Sequence, residues 1–282
     1  MNLKRIRVIL LFCVLVLFNA LLLESIQERI LQINCFSYET AYANLRSHQV
    51  PEEILAEFWE ASNYDLTKFA ELLTMHFATE NTVTDPDILE NDIAFVKKYH
   101  YEDFCTVRQY VTALWSDLEV FPVGEVASDT EATVTFADSW MQSRTFGGDR
   151  GHEGCDIMAT VNQRGIYPVY SISDGVVENI GWLRLGGYRI GIRSENGAYF
   201  YYAHLAEYAK EFQIGEPVEA GTFLGYMGDT GYSDVPGTTG NFDVHLHLGI
   251  YLNDRDGQEF SVNSYPMLRY LWEKELENNG EK

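Results

Sequence analysis

Residues 241–251 read NFDVHLHLGIY, and they alternate. Val244, Leu246, Leu248 and Ile250 hold one set of alternate positions, while Asp243, His245 and His247 hold the other. In a β-strand successive side chains point to opposite faces, so the run predicts a strand with an apolar face and a face bearing two imidazoles. A single histidine in an apolar stretch is most often a hydrogen-bonded core residue. Two at i and i+2 on one face are costly to bury unpaired, and a metal or a reaction accounts for them better. The strand therefore calls for a β layer with a core on one side and partners for the imidazoles on the other.

Candidate partners lie in the same region. DRGHEGCDIMA puts His152 four residues before Asp156, with Gly154 between, and an imidazole and a carboxylate that share a face are good zinc ligands. FYYAHLAEY puts His204 on a strand after an aromatic run. His-x-x-x-Asp alone is a weak signal, but followed by an isolated His and then by His-x-His it is a strong joint one. Around these motifs, short β-branched and aromatic runs are cut by turns at Asp174-Gly175 and Asn196-Gly197. They predict a β-rich domain over 136–252. A C-terminal tail, 253–282, is expected to be helical, with Met267, Tyr270, Leu271 and Lys274 at helical spacing.

Upstream, the spacing is helical and predicts a small helical domain over 36–120. Pro51 with Glu52 and Glu53 starts one helix, striped by Ile54, Leu55, Phe58 and Trp59. Asp65 precedes a second, with Leu66, Phe69, Leu73 and His76 or Phe77 on one side. Asp85-Pro86 starts a third, and Phe104, Val107, Val111, Leu114, Trp115 and Leu118 mark a last. His48, His76 and His100 have no partners at ligand spacing and read as structural or solvated. FPVGEVASDTEAT opens a polar linker, 121–135. The fold class is α+β.

At the N-terminus, Lys4, Arg5 and Arg7 precede an uncharged run from Val8 to Leu23. That run is shorter than the ~20 residues that span a bilayer, but Leu23, Ile26, Ile30 and Ile33 continue it at helical spacing. Leu21-Leu22-Leu23-Glu24 is no small-residue cleavage site. Residues 1–35 are therefore read as a cytoplasmic tip and an uncleaved single-pass membrane anchor, with the later domains extracytoplasmic. A formal charge of −22 argues against nucleic acid as a partner and against loose adhesion to anionic lipids or wall polymers. Cys35 and Cys105 are open to pairing or to staying reduced, and the lack of Cys-x-x-Cys excludes a cysteine zinc site.

Several blocks in order resemble the lysostaphin-type, or LytM-like, zinc metalloendopeptidases, which cut peptidoglycan peptides. The resemblance covers roughly residues 145–251, through HEGCDIMA, VYSISDGVVENIGW, YAHL, IGEPVEAGTFLGYMGDTGYS and HLHLGIY. It implies a small two-sheet β domain with an open groove (the duplicated hybrid motif), Zn²⁺ as cofactor and peptidoglycan peptides as substrate. It implies His152, Asp156 and His247 as zinc ligands, with water completing the tetrahedron. His204 and His245 match the two non-ligand histidines, which move protons or stabilise the oxyanion. The chain departs from the pattern at Cys155, where an apolar residue is expected, and in the longer insertion DVPGTTGNFD, which would shape or narrow the groove. Some members carry a Tyr just upstream of the first ligand; here the stretch is SRTFGGDR, and Arg144 is not assigned to the site.

The reading is a membrane-anchored, extracytoplasmic zinc endopeptidase whose helical domain offers a surface to an envelope protein partner. The alternative is a non-enzymatic or dual-role scaffold of the same fold, acting in cell division or sporulation. The complete ligand set favours the enzyme. A phosphotransfer or carrier domain using two histidines is disfavoured by His152-x-x-x-Asp156 and by the exported topology.

Overall fold

A computed structural model of the chain describes residues 3–79, 81–127, 131–278 and 280. Helix α1 (Leu3–Asn34) runs unbroken through the basic tip and the apolar run; the side chain of Ile33, expected on its stripe, lies outside the described residues. Its large apolar side chains from Val8 to Ile30 are exposed, and Leu3–Ile30 is long and apolar enough to cross a membrane, a property that an N-terminal export signal shares. Only Cys35, Phe36 and Ser37 separate α1 from α2 (Tyr38–Ser47). Phe36 is buried with its ring 6.0 Å from Phe104, and the Ser37 hydroxyl caps α2 by accepting from Thr40 N.

Then come α3 (Glu52–Ala61), α4 (Leu66–Ala78), α5 (Pro86–Tyr99) and α6 (Tyr101–Trp115). They start where the sequence signals them: Asp65 caps α4, and Asp85 caps α5 with Pro86 in its first turn. Helix α4 is central, with Phe69, Leu73 and Phe77 fully buried, and the other three together with α2 pack around it.

The β domain comprises β1 (Val134–Phe136), β2 (Ser143–Arg144), β3 (Arg150–Gly151), β4 (Cys155–Ala159), β5 (Pro168–Tyr170) and β6 (Gly175–Leu183). It continues with β7 (Gly187–Arg193), β8 (Tyr199–Tyr208), β9 (Pro217–Val218), β10 (Phe223–Met227), β11 (His245–Asn253) and β12 (Glu259–Val262), and α7 (Tyr265–Asn278) closes the chain. The main order is β1-β4-β11-β8-β7-β6-β9, with β12 on β11, β10 joining β5 to β8, and β2–β3 a separate ribbon. The layers implied by the resemblance are tied into one hydrogen-bonded network through β8. Its first half pairs with β11 as far as Ala203, opposite His247, and from Leu205 onward it pairs with β10. A bulge between the two halves bends the strand, so that one element serves both.

The stretch after 252, expected as helix throughout, first adds β12. A turn closed by Asp254 N donating to Gln258 O folds Glu259–Val262 back along β11. The helical layer docks on this strand. Phe260 meets the rings of Tyr42 (4.8 Å) and Tyr110 (5.3 Å), Arg46 donates to Ser261 O, and Asn263 donates to the carbonyls of Arg46 and Ser47. The expected linker is packed over its first part, because its apolar residues find a core. Phe121, Val123 and Val126 are buried, and Tyr170 N donates to Pro122 O; residues 128–130 of that stretch lie outside the described residues. Cys35 and Cys105 are not joined.

His48, just past α2, has left-handed backbone (φ 45°), and its buried ring sits against Phe77 and Trp115. Burial pushes its pKa from 6.5 down to about 3, with the Leu45 carbonyl opposing only in part. The unfolded chain binds this proton below pH 6.5 and the folded chain does not, so stability falls from about pH 6.5 toward pH 3, by roughly 1 kcal/mol per pH unit. His76, whose pKa burial also lowers, acts on the same limb. Thermal unfolding between pH 7 and pH 4 is expected to show a shallower acid slope for His48→Asn, whose side chain tolerates left-handed backbone. An unchanged slope would refute the assignment.

Candidate active site

The ladder between β4 and β11 sets Asp156 directly across from His247 and Cys155 across from Leu248. Leu246, Leu248 and Ile157 face the core, fully buried, so the polar pair must face the other way. His152 reaches the same point from the turn before β4. Its backbone is fixed by exchanging hydrogen bonds with the β2 side: His152 N donates to Gln142 O, and Met141 N donates to His152 O. His152 Nε2, Asp156 Oδ1 and His247 Nδ1 form a triangle with sides of 2.8, 2.9 and 3.0 Å. Sequence spacing suggested that His152 and Asp156 share a strand face; the turn at Gly154 brings them together instead. A Cβ on Gly154 would lie 2.6 Å from Leu248 O and 2.8 Å from His247 Nε2, so only glycine lets the chain pass this close.

His245 and His204 lie beside the triangle. His245 Nε2 is 3.8 Å from Asp156 Oδ1, and the rings of His204 and His245 are 4.7 Å apart. Asp243, expected to share their face, lies before the strand begins. Its side chain accepts from Asn162, and its carbonyl accepts from His245 Nδ1 at 2.7 Å. His204 reaches the groove only through the β8 bulge. On strict alternation it would follow Phe200 and Tyr202 into the core, but a left-handed conformation (φ 63°) turns it out beside Tyr199 and Tyr201. The Thr230 carbonyl accepts from His204 Nδ1 at 2.8 Å, and the Thr230 hydroxyl donates to Leu205 O. The hydrogen bonds from Nδ1 leave the Nε2 lone pairs of both histidines free to face the site. Phe242, from the long insertion, packs on both rings (4.6 and 5.0 Å) and backs the site.

Burial raises the pKa of Asp156, but hydrogen bonds from His152 and His247 outweigh it and hold the carboxyl below its usual range. Burial lowers the pKa of His247 despite Asp156, and lowers that of His204 further still. One anion and two imidazoles therefore converge, which is a donor set suited to a divalent metal. Ser139 faces His152 Nδ1 with its hydroxyl at 3.0 Å and its carbonyl at 3.2 Å. Moving the ring proton to Nδ1, where that carbonyl can accept it, would exchange the Nε2 contact with Asp156 for a lone pair open to a metal.

The five residues singled out from the sequence thus meet at one point. Missing from that selection was Arg144, whose Nη2 lies 2.7 Å from Asp156 Oδ2. Thr230 was missed too, and nothing in its sequence context marks it as a clamp. The groove around the site has a volume of about 500 Å³ and includes Tyr199, Tyr201, Tyr232 and Tyr251. Burial raises the pKa of Tyr199, Tyr201 and Tyr251, which keeps their phenols neutral.

An antiparallel β domain thus converges a metal-type donor set on an open groove. The sequence profile of Peptidase family M23 matches residues 150–259. A crystal structure of a candidate glycyl-glycine endopeptidase lytM from Ruminococcus gnavus is 40% identical, with a TM-score of 0.67, over 82% of this chain and 90% of that one. The chain belongs to peptidase family M23. The L-Ala–D-Glu endopeptidase of Bacillus subtilis is 46% identical over 140 residues, which is 50% of this chain and 41% of that protein. Glycyl-glycine endopeptidase ALE-1 of Staphylococcus capitis is 35% identical over 99 residues, 34% of this chain and 24% of that protein. The chain therefore spans less than half the length of these curated relatives.

Gly154→Ala is expected to cost about 1–3 kcal/mol of stability and to shift the imidazole NMR signals of His247. Unchanged stability and spectra would show that the close approach imposes no constraint.

Proposed function

We propose that the chain is a membrane-anchored zinc endopeptidase that hydrolyses peptide bonds of peptidoglycan outside the cytoplasmic membrane. The observation that carries this reading is the convergence of His152 Nε2, Asp156 Oδ1 and His247 Nδ1 within about 3 Å of one another, with two further imidazoles alongside. In this reading those three atoms hold the zinc. When bound, zinc supplies a Lewis acid that polarises the scissile carbonyl and lowers the pKa of water. The proton handling falls to the chain's own residues. His245 and His204 each accept a proton at Nε2, because the carbonyls of Asp243 and Thr230 hold their Nδ1 protons. Either imidazolium can return its proton to the departing amine. The names of the relatives supply two bond types, L-Ala–D-Glu and glycyl-glycine, and the family resemblance supplies the polymer, peptidoglycan.

The division into anchor (1–35), helical domain (36–120) and peptidase domain from 136 belongs to the same proposal, with the packed connection 121–135 and the strand β12 of the expected tail (253–282) counted with the peptidase domain. So does the orientation: Lys4, Arg5 and Arg7 stay in the cytoplasm and the groove lies outside. A purely structural scaffold has no need of converging donors with oriented neighbours, so the same observation weighs against it.

Metal content separates the roles. The purified chain is expected to carry about one zinc, His247→Ala to lose it, and His245→Ala to keep it while turnover of muropeptides drops about 10²–10⁴-fold. Loss of zinc from His245→Ala with retention in His247→Ala would reverse the assignment. No zinc uptake by the wild type would end the enzyme reading. Protease added to intact protoplasts is expected to remove the part beyond α1, and protection there would refute the topology.

A further inference from the structure

Seven cationic side chains lie between residues 136 and 252. Five have a carboxylate at ion-pair distance: Arg144 with Asp156, Arg164 with Asp229, Arg184 with Asp234, Arg193 with Glu178, and Lys210 with Glu216. Arg150 and Arg189 have none among the described residues, in a chain where 42 acids face 20 bases. Both line the groove. Arg150 Nε and Arg189 Nη1 are shielded from solvent and find no acceptor among the described residues. Two guanidiniums that line a groove with no carboxylate partner among the described residues leave positive charge there, which favours an anionic group on the ligand.

The position of the pair supports this. Both guanidiniums line the same groove as Tyr201. The Tyr201 ring is itself 6.0 Å from the ring of His247. Arg189 is on β7 across from the β8 bulge, and Arg150 is two residues before His152. Glu153 and Glu259 line the same groove and would repel a phosphate dianion more than a carboxylate.

We propose that Arg150 and Arg189 form a carboxylate subsite of the groove, selecting peptides that carry a free carboxylate beside the scissile bond. This rests on reading the groove as a peptidase site. Of the bond types in the relatives' names, a glycyl-glycine bridge has no carboxylate beside it, whereas an L-Ala–D-Glu peptide has one on the Glu. Planar forked donors match that group in a way that a lysine would not.

The test uses an N-terminally labelled L-Ala–D-Glu–L-Lys peptide in four forms. The free carboxyl of Glu is acid or amide, and the C-terminal carboxyl is independently acid or amide. Binding to the full chain in detergent, stripped of metal by a chelator, is read by fluorescence anisotropy. The Glu acid is expected to bind about ten- to a hundredfold more tightly than the amide, whatever the state of the C-terminus. Arg189→Gln and Arg150→Gln are each expected to shrink that ratio severalfold, and Lys210→Gln to leave it alone. Equal binding of acid and amide by the wild type overturns the proposal, and this comparison needs no variant. A preference that follows the C-terminal carboxylate, or a ratio unchanged in both arginine variants, also overturns it. If the acid preference holds while the zinc-loaded chain cuts neither these peptides nor pentaglycine, the peptidase reading fails and the anion subsite stands.

Discussion

The pairing of β4 with β11 places Asp156 across from His247, and the rest of the site is arranged around that register. Side-chain direction in a strand repeats every two residues, so a one-residue slip would bury the imidazoles and expose Leu246 and Leu248. The apolar side of the ladder prevents the slip, since Cys155, Ile157, Leu246 and Leu248 are all fully buried on it. Ser264 adds a hydrogen bond to Leu248 O, and the close passage of Gly154 over the same carbonyl leaves no slack. The core thus positions the polar cluster from the opposite face of the ladder.

The polar side carries the cost of that arrangement. A largely buried carboxylate, tied to Arg144 and close to three imidazoles, incurs a desolvation cost that its partners must outweigh, and removing one of them would leave that charge under-compensated. His204 adds backbone strain, on the order of 1–3 kcal/mol for a non-glycine residue in the left-handed region. It persists because its surroundings over-determine it: Gly186 O accepts from its backbone N–H, Thr230 O holds its ring, and Phe242 packs on its face. Such strain at the edge of a polar cluster is what a fold shaped for chemistry leaves behind.

The alternation of β11 was open to reading because one core face and one polar face leave a period-two record in residue type. The helix starts at Asp65 and Asp85 were open for a similar reason, since a cap is a local bond between neighbours in sequence. All five candidate site residues met, although for two of them the route differed from the spacing argument. His152 arrives through a turn, and His204 through a bulge, a backbone state that leaves no mark on the order of residue types. Asp243 illustrates the opposite failure: alternation was extended two residues past the point where the strand begins. Arg144, Thr230 and the unpaired arginines of the groove depend on long-range packing, as does the docking of α2 on β12, and none of these is encoded in local spacing.

The junction between α1 and α2 has a mechanical consequence. With three residues between the helices, Phe36 in the core and Ser37 in a cap, the junction gives the chain little length in which to separate α1 from the helical layer. For a chain anchored as proposed, the groove is not on a long leash; the folded layers begin within three residues of the helix end, which limits how far from the bilayer it can stand. Encounter with substrate then becomes a search in two dimensions, by sliding of the whole molecule in the plane of the membrane. The polymer it can reach is the thin layer that passes at the height of the groove.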